Sequence, residues 1–244
     1  MTTAETPTDL APFPDDWQTA LCIAAHPDDL EYGTSGAVAA WTRAGKTVSY
    51  LLVTSGEAGI DGLDPADCGP LREAEERAGA AVVGVDEVEF LGHPDGVVEY
   101  GLPLRRDIAR VVRRRRPDLV VASNPDVRPA WGGIDHADHR AANLAAVDGV
   151  RDAGNRWVFR ELLDDGLAPW KVRYIALGFS GRATHAVDVT DTIDAGVASL
   201  AAHRVYLEGL GAGTPEPDTL LRGFARMTGQ RFGGRLAVAY ELLG

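Results

Sequence analysis

The residues of this sequence that could carry chemistry gather in two short clusters. The first contains His26, Asp28 and Asp29, and it directly follows the apolar segment Leu21–Ala25, which we predict to be a β-strand. In an open α/β sheet, ligand sites form at the carboxyl ends of the strands. A histidine and a carboxylate in this turn could bind one metal ion while the other carboxylate points elsewhere. A capped turn between a strand and a helix would also contain aspartates, so this cluster alone leaves both interpretations open.

The second cluster contains His136 and His139 and comes after another predicted strand, Leu119–Ser123. The two histidines share one face if residue 136 begins a helix, because side chains three positions apart are neighbours there. Two histidines and a carboxylate are a common ligand set of catalytic zinc, which leaves a fourth position for water. The alternative, a polar helix start with exposed histidines, requires both clusters to follow strand ends by accident. Together the clusters predict a catalytic metal site.

These clusters lie within an alternation of apolar runs and longer amphipathic segments, which is typical of parallel strands joined by helices. We therefore predict a Rossmann-like α/β fold with a mostly parallel sheet, flanking helices, and additional C-terminal strands and helices. The predicted strands are Leu21–Ala25, Val48–Thr54, Val88–Leu91, Leu119–Ser123, Val172–Leu177 and Ala186–Val189. The predicted helices are Thr34–Ala44, Leu71–Val83, Leu104–Arg115, His136–Asp152 and Thr192–Leu207.

The composition is that of an ordinary globular domain, with 45% hydrophobic and 25% charged residues in a chain of 244. We predict a single domain over residues 1–244, with residues 1–18 as an N-terminal extension. The N-terminus has no apolar signal core and no segment has the length of a transmembrane helix, so we expect a cytoplasmic protein. A formal charge of -12 argues against nucleic acid or an anionic membrane as partner. Cys22 and Cys68 form no close pair, so a metal must use histidine and carboxylate ligands.

The motifs resemble those of the LmbE/PIG-L-like zinc N-deacetylases, a family that includes deacetylases of N-acetylglucosamine conjugates. The resemblance covers most of the chain and rests on residues 25–29, 53–57, 71–75, 95–96 and 136–139. It implies that His26, Asp29 and His139 bind one zinc ion, that Asp28 is the general base, and that His136 stabilises the transition state and can act as general acid. The spacing alone does not separate the roles of Asp28 and Asp29. Fe2+ is an alternative to Zn2+, because divalent metals of similar size compete for such a site.

Two positions depart from the family pattern. Leu30 stands between Asp29 and Glu31, so Glu31 has no assigned role, and Ile134 occupies a position where some sugar-conjugate members have tyrosine. We expect His136 to work in its protonated form next to Asp135 and Asp138, since a nearby carboxylate favours the charged imidazole. Asp138 has two possible roles: it could orient that imidazole, or it could be an exposed carboxylate on the helix.

The resemblance also implies that Arg72 and Asp95 contact substrate hydroxyls. Arg72 stands at the predicted start of a helix, where the dipole disfavours a cation, and the alternative is an ion pair with Glu75 or Glu76. Asp95 precedes a glycine, so turn formation is its alternative role. Glu57 lies in a glycine-containing loop without a nucleotide-binding motif, and we expect this loop to line the pocket.

The remaining candidates are assigned no chemistry. We interpret His93, His185 and His203 as structural, with a place at the pocket border as the alternative for His203. Trp131 could stack on a sugar or anchor a loop.

We predict a zinc-dependent hydrolase that removes an N-acyl group, acetyl in the first instance, from an amino-sugar-type amide of a small molecule. One alternative is an amidase for a larger amide, such as a thiol conjugate of an amino sugar, which bulkier amides would reveal. Another is a non-catalytic α/β binding domain, which would hold no stoichiometric metal. The exact substrate and a homo-oligomeric state are left open.

Overall fold

The computed structural model describes residues 9–128, 132–211 and 213–244. Within them the strands are β1 (Ala11–Pro12), β2 (Thr19–Ala24), β3 (Thr47–Leu52), β4 (Glu87–Phe90), β5 (Leu119–Ser123), β6 (Tyr174–Gly178), β7 (His185–Asp188) and β8 (Ala237–Leu243). The helices are α1 (Asp29–Gly33), α2 (Ser35–Arg43), α3 (Pro65–Val82), α4 (Leu102–Arg115), α5 (Ala137–Ala153), α6 (Glu161–Asp164), α7 (Ile193–Ala201), α8 (Arg204–Gly209) and α9 (Pro217–Gly229). The predicted α/β class is confirmed.

The strands form one sheet in the order β1-β7-β8-β6-β5-β2-β3-β4. Strand β2 is parallel to β3 and β5, with Ala24 opposite Leu52 and Cys22 opposite Val121. The carboxyl ends of β2, β3 and β5 therefore meet at one edge of the sheet. The expected parallel character is confirmed in part, because β8 runs antiparallel to both β6 and β7.

Strand β2 is buried on both faces, as expected for a central parallel strand. Cys22 belongs to a cluster on one face that includes Trp41 from α2. Ile23 belongs to a cluster on the other face that includes Ile108 from α4. This burial on both sides anchors the end of β2, from which the first polar cluster begins.

Two helices differ from the prediction. Helix α3 begins at Pro65, not at Leu71: the side chain of Asp64 accepts the N–H of Ala66, and Pro70 lies inside the helix. The predicted helix Thr192–Leu207 is two helices, α7 and α8, which are separated at His203. Among the described residues, the helices are all too short or too polar to cross a bilayer.

Candidate active site

The turn after β2 holds Asp28 in a left-handed backbone conformation, with φ of 85°. This conformation is unfavourable for a residue with a Cβ and persists where the surroundings stabilise it. Glu76 of α3 accepts the N–H of Asp28 at 2.9 Å. Arg72, also on α3, donates to the Pro27 carbonyl at 2.6 Å and to Asp28 Oδ2 at 3.0 Å. Helix α3 therefore fixes both the backbone and the carboxylate of Asp28.

His26, Asp29 and His139 come together beside this turn, and a ligand atom from each lies within 4.8 Å of the other two. His139 Nε2 is 3.0 Å from Asp29 Oδ1, and His26 Nδ1 is 3.5 Å from Asp29 Oδ2. The three predicted metal ligands are thus neighbours although two come after β2 and one after β5.

The outward nitrogens of the two imidazoles face carboxylates. His26 Nε2 is 3.0 Å from Asp95 Oδ1 and 3.3 Å from Asp138 Oδ2, while His139 Nδ1 is 2.9 Å from Asp135 Oδ1. A carboxylate at the far nitrogen fixes the tautomer of a metal-binding histidine and increases its basicity. The donor set and its surroundings therefore fit a divalent cation such as zinc.

The electrostatics of the three neighbours agree with a cation site. Burial opposes the charged form of His26, but the carboxylates of Asp29 and Asp95 raise its pKa to about 11. Burial opposes the charged form of His139 too, yet Asp29 and Asp135 raise its pKa to about 9. Although burial favours the neutral acid, the two histidines hold the pKa of Asp29 well below its usual range. The carboxylates thus create a local potential that attracts positive charge.

Asp28 has a different environment from Asp29, and this separates two residues that the spacing could not. Burial raises the pKa of Asp28 to about 7, against the opposing effect of the Arg72 guanidinium. Arg72 donates to its carboxylate, and Tyr206 also acts to lower its pKa. A buried carboxyl with a pKa near neutrality is suited to accept and release a proton.

His136 caps α5, and its Nδ1 accepts the backbone N–H of Asp138 at 3.3 Å. In the neutral ring, this leaves Nε2 as the protonated nitrogen. Of the two carboxylates expected beside this imidazole, that of Asp138 has an oxygen within 4.8 Å of a ring nitrogen of His136. Asp135 binds His139 and the backbone of residue 136, whereas Asp138 is fully buried and accepts the backbone N–H groups of Gly96 and Val98.

Arg72 lies well inside α3 and is 2% exposed. The prediction that it begins a helix is therefore wrong, and so are its alternative ion pairs. Glu75 accepts the N–H groups of Val205 and Tyr206, whereas Glu76 accepts that of Asp28. Arg72 instead lines the cavity between the Asp28 carboxylate and the ring of Tyr206.

Asp95 and Glu57 form a connected pair at the ends of β4 and β3. Asp95 Oδ2 accepts the N–H of Ala58 at 2.8 Å, and Glu57 Oε1 accepts the N–H of Asp95 at 2.9 Å. Asp95 Oδ1 faces His26, so its carboxylate can orient that ring. Glu57 acts one step further away, by holding the backbone of Asp95.

The segments after β2, β3, β4 and β5, together with α3 and α8, line a cavity of about 320 Å3 with the candidate chemistry on its wall. It is lined by His26, Asp28, Asp29, Tyr32, Ala58, Gly59, Arg72, Asp95, Gly96, His136, His139 and Tyr206. Tyr32 and Tyr206 also line the cavity, but no spacing in the sequence distinguishes them from core aromatics. His203 lies not at this cavity but in the interior, and Trp131 lies outside the described residues.

Comparisons with known proteins identify the family of this chain. A family model for PIG-L, GlcNAc-PI de-N-acetylase, matches residues 21–150. Diacetylchitobiose deacetylase of Thermococcus kodakarensis is 30% identical over 194 residues, which are 79% of this chain and 71% of the relative. A 1D-myo-inositol 2-acetamido-2-deoxy-alpha-D-glucopyranoside deacetylase of Kineococcus radiotolerans is 32% identical over 193 residues, 62% of this chain and 49% of that protein.

A solved structure gives the same result. N,N'-diacetylchitobiose deacetylase of Pyrococcus horikoshii, in complex with an inhibitor, aligns with a TM-score of 0.84 and 26% identity. The alignment covers 93% of this chain and 84% of that one. From the family match, the relatives and the shared fold, the chain belongs to the PIG-L family of de-N-acetylases, as its motifs predicted.

Proposed function

We propose that this protein is a zinc-dependent N-deacetylase that hydrolyses the acetamido group of a small N-acetylglucosamine-containing molecule. The observation that carries the proposal is the convergence of His26, Asp29 and His139 next to the buried carboxyl of Asp28, on the wall of one cavity. The proposed substrate class is that of the relatives, which are deacetylases of diacetylchitobiose and of 1D-myo-inositol 2-acetamido-2-deoxy-alpha-D-glucopyranoside.

The ligand set is His26, Asp29 and His139, and a zinc ion held there would polarise the amide carbonyl and make water more acidic. Asp28 lies beside this set and accepts the proton of the attacking water. Arg72 keeps the accepting carboxyl of Asp28 oriented through the 3.0 Å contact to Oδ2. His136 donates from Nε2, either to the oxygen that becomes negative or to the departing nitrogen.

The same cavity wall offers contacts for the sugar. Arg72 and Asp95 line the cavity, so we propose that they approach the hydroxyl groups while they also hold Asp28 and His26. Glu57 supports this wall through Asp95.

The test is hydrolysis by protein whose zinc content has been measured. N-acetylglucosamine, N,N'-diacetylchitobiose and 1D-myo-inositol 2-acetamido-2-deoxy-alpha-D-glucopyranoside would be compared by release of acetate. We expect turnover of at least one substrate, and a loss of about 10²- to 10⁴-fold for Asp28→Asn at unchanged zinc content. Absence of turnover from all three at one zinc per chain would contradict the proposal.

A second candidate, hydrolysis of a longer N-acyl amide, is favoured by a neighbouring cavity of about 210 Å3. This cavity shares Asp29, Tyr32 and His139 with the first, and Phe179, Leu220 and Phe224 add apolar walls to it. If the sugar occupies the side near Arg72, the acyl chain must extend from the reacting carbonyl carbon in another direction. N-butyryl and N-hexanoyl glucosamine would test this candidate: turnover above that of the acetyl compound would favour it, and complete rejection would exclude it.

A further inference from the structure

Three titratable side chains outside the reaction cavity meet in the protein interior. Glu31 of α1, Glu76 of α3 and His203 between α7 and α8 have exposures of 1%, 0% and 0%. His203 Nε2 lies 3.7 Å from Glu31 Oε2 and 3.6 Å from Glu76 Oε2. We call these three residues the buried triad.

The buried triad lies within a tightly packed junction of helices. Ser199 donates to the carbonyl of Gly79 at 2.8 Å and to Glu31 Oε1 at 3.3 Å. A Cβ at Gly79 would be 2.9 Å from the Ser199 carbonyl oxygen and 3.1 Å from His203 Nε2. Helix α3 can therefore approach α7 and His203 this closely because residue 79 is glycine.

Several polar atoms of the triad face one another without a hydrogen bond. Among the described residues, Glu31 Oε2, Glu76 Oε1 and both ring nitrogens of His203 have no such partner. Unpaired buried polar atoms are costly, so a group of them in one place calls for a role. Burial raises the pKa of Glu76 to about 8 and lowers that of His203 to about 3. The triad is therefore not held together by a pair of full charges.

One hydrogen bond connects the triad with the turn that lines the reaction cavity. Glu76 Oε2 accepts the N–H of Asp28 at 2.9 Å, and Asp28 has the unfavourable φ of 85°. This fully buried acceptor fixes the position of the Asp28 backbone, and the backbone in turn sets the position of the Asp28 carboxyl group.

We propose that the buried triad is a positioning device in which Glu31 and His203 confine Glu76, and Glu76 holds Asp28 in its left-handed conformation. None of the three residues lines the reaction cavity, so the triad acts on hydrolysis through Asp28. The proposal rests on the role of Asp28 as the base, but the bond itself can be measured without turnover.

Two substitutions of Glu76 distinguish the effect of its side-chain length from the effect of its carboxyl group. Glu76→Gln keeps an acceptor oxygen at the same distance and adds an NH2 group that can bind Glu31. Glu76→Asp keeps the carboxyl group but withdraws it by one methylene. We expect Glu76→Gln to retain kcat within about threefold and Glu76→Asp to lower kcat about 10²-fold, since small misplacements have effects of this size. KM and zinc content should be unchanged in both. Glu73→Asp is the matched control, because Glu73 lies on the same helix and binds Ser55 and Arg77.

Hydrogen exchange at the Asp28 amide reads the bond directly. The protection of the Asp28 amide against exchange should persist in Glu76→Gln and fall at least tenfold in Glu76→Asp. In an Asp28→Asn background, Glu76→Asp should change the residual kcat less than threefold, because the base through which it acts is already gone.

Three results would overturn the proposal. The first is unchanged amide protection in Glu76→Asp, which applies even if the protein hydrolyses none of the tested substrates. The second is an equal loss of kcat in both backgrounds, which would indicate general damage to the fold. The third is a second bound metal per chain that disappears in His203→Ala, which would make the triad a cation site.

Discussion

The substitution Gly79→Ala sets two opposing effects of known size against each other. In a helix interior, alanine is more favourable than glycine by about 0.8–1.0 kcal/mol. At Gly79, however, the new Cβ would lie 2.9 Å from the backbone oxygen of Ser199, and backbone cannot rotate away as a flexible side chain can. Overpacking of this kind costs about 1–3 kcal/mol. We therefore expect a net loss of about 0–2 kcal/mol in the free energy of unfolding.

Gly223→Ala is the matched control, because no heavy atom lies within 4 Å of a Cβ built at that exposed position of α9. Here only the difference in helix propensity operates, so the free energy of unfolding of this variant should increase by up to about 1 kcal/mol. Urea unfolding followed by circular dichroism, at equal m-values, would measure both. The two variants should differ by about 1–3 kcal/mol, which is about 2–12 °C in Tm for a chain of this size. Equal stabilisation by both alanines would refute the close approach of α3 to α7.

Other substitutions test the site. Asp28→Asn should retain zinc and lose turnover, whereas Asp29→Asn should lose zinc. Zinc content and kcat would be measured for both variants, and these roles would be contradicted if both kept metal and activity. Asp135→Asn should lower zinc affinity about 10- to 100-fold, because its carboxylate binds the outward nitrogen of His139 at 2.9 Å, and competition with a chelator measures this. Arg72→Met should lower kcat without a change in zinc content, as it removes the cation that orients Asp28; an unaltered kcat would show that Arg72 is not needed there.

The positions of the metal ligands could be predicted because they depend on a simple rule of architecture. Strands β2 and β5 are adjacent and parallel, so the residues that follow them meet at the same edge of the sheet. The apolar runs identified both strands, and the histidines and aspartates follow directly. His26 and His139 therefore become neighbours through the topology of the sheet, not through any local spacing.

The roles of Asp28 and Asp29 could not be separated in the same way, because they depend on contacts with distant residues. Asp28 is distinguished by Glu76, Arg72 and Tyr206, and two of these lie on a helix whose start the sequence obscures. Pro70 is normally unfavourable inside a helix, so the prediction placed the start of α3 after it.

The C-terminal part of the fold was harder to predict for a related reason. His203 separates α7 from α8, but the helical pattern continues across it. Strand β8 pairs with β6 and β7 in an antiparallel direction that a run of apolar residues does not encode.

The place of β8 in the sheet affects the order in which the protein can form during synthesis. Residues 237–243 lie between β6 and β7, so the pair β1-β7 is joined to the rest of the sheet through a strand made some fifty residues after β7. Domains that fold during translation begin with the segments that emerge first. Strands β2 to β6, with the metal ligands and Asp28, can assemble while two edges that β8 will cover still face solvent. Until residues 237–243 are made, each of these edges has free backbone groups with which another strand can pair.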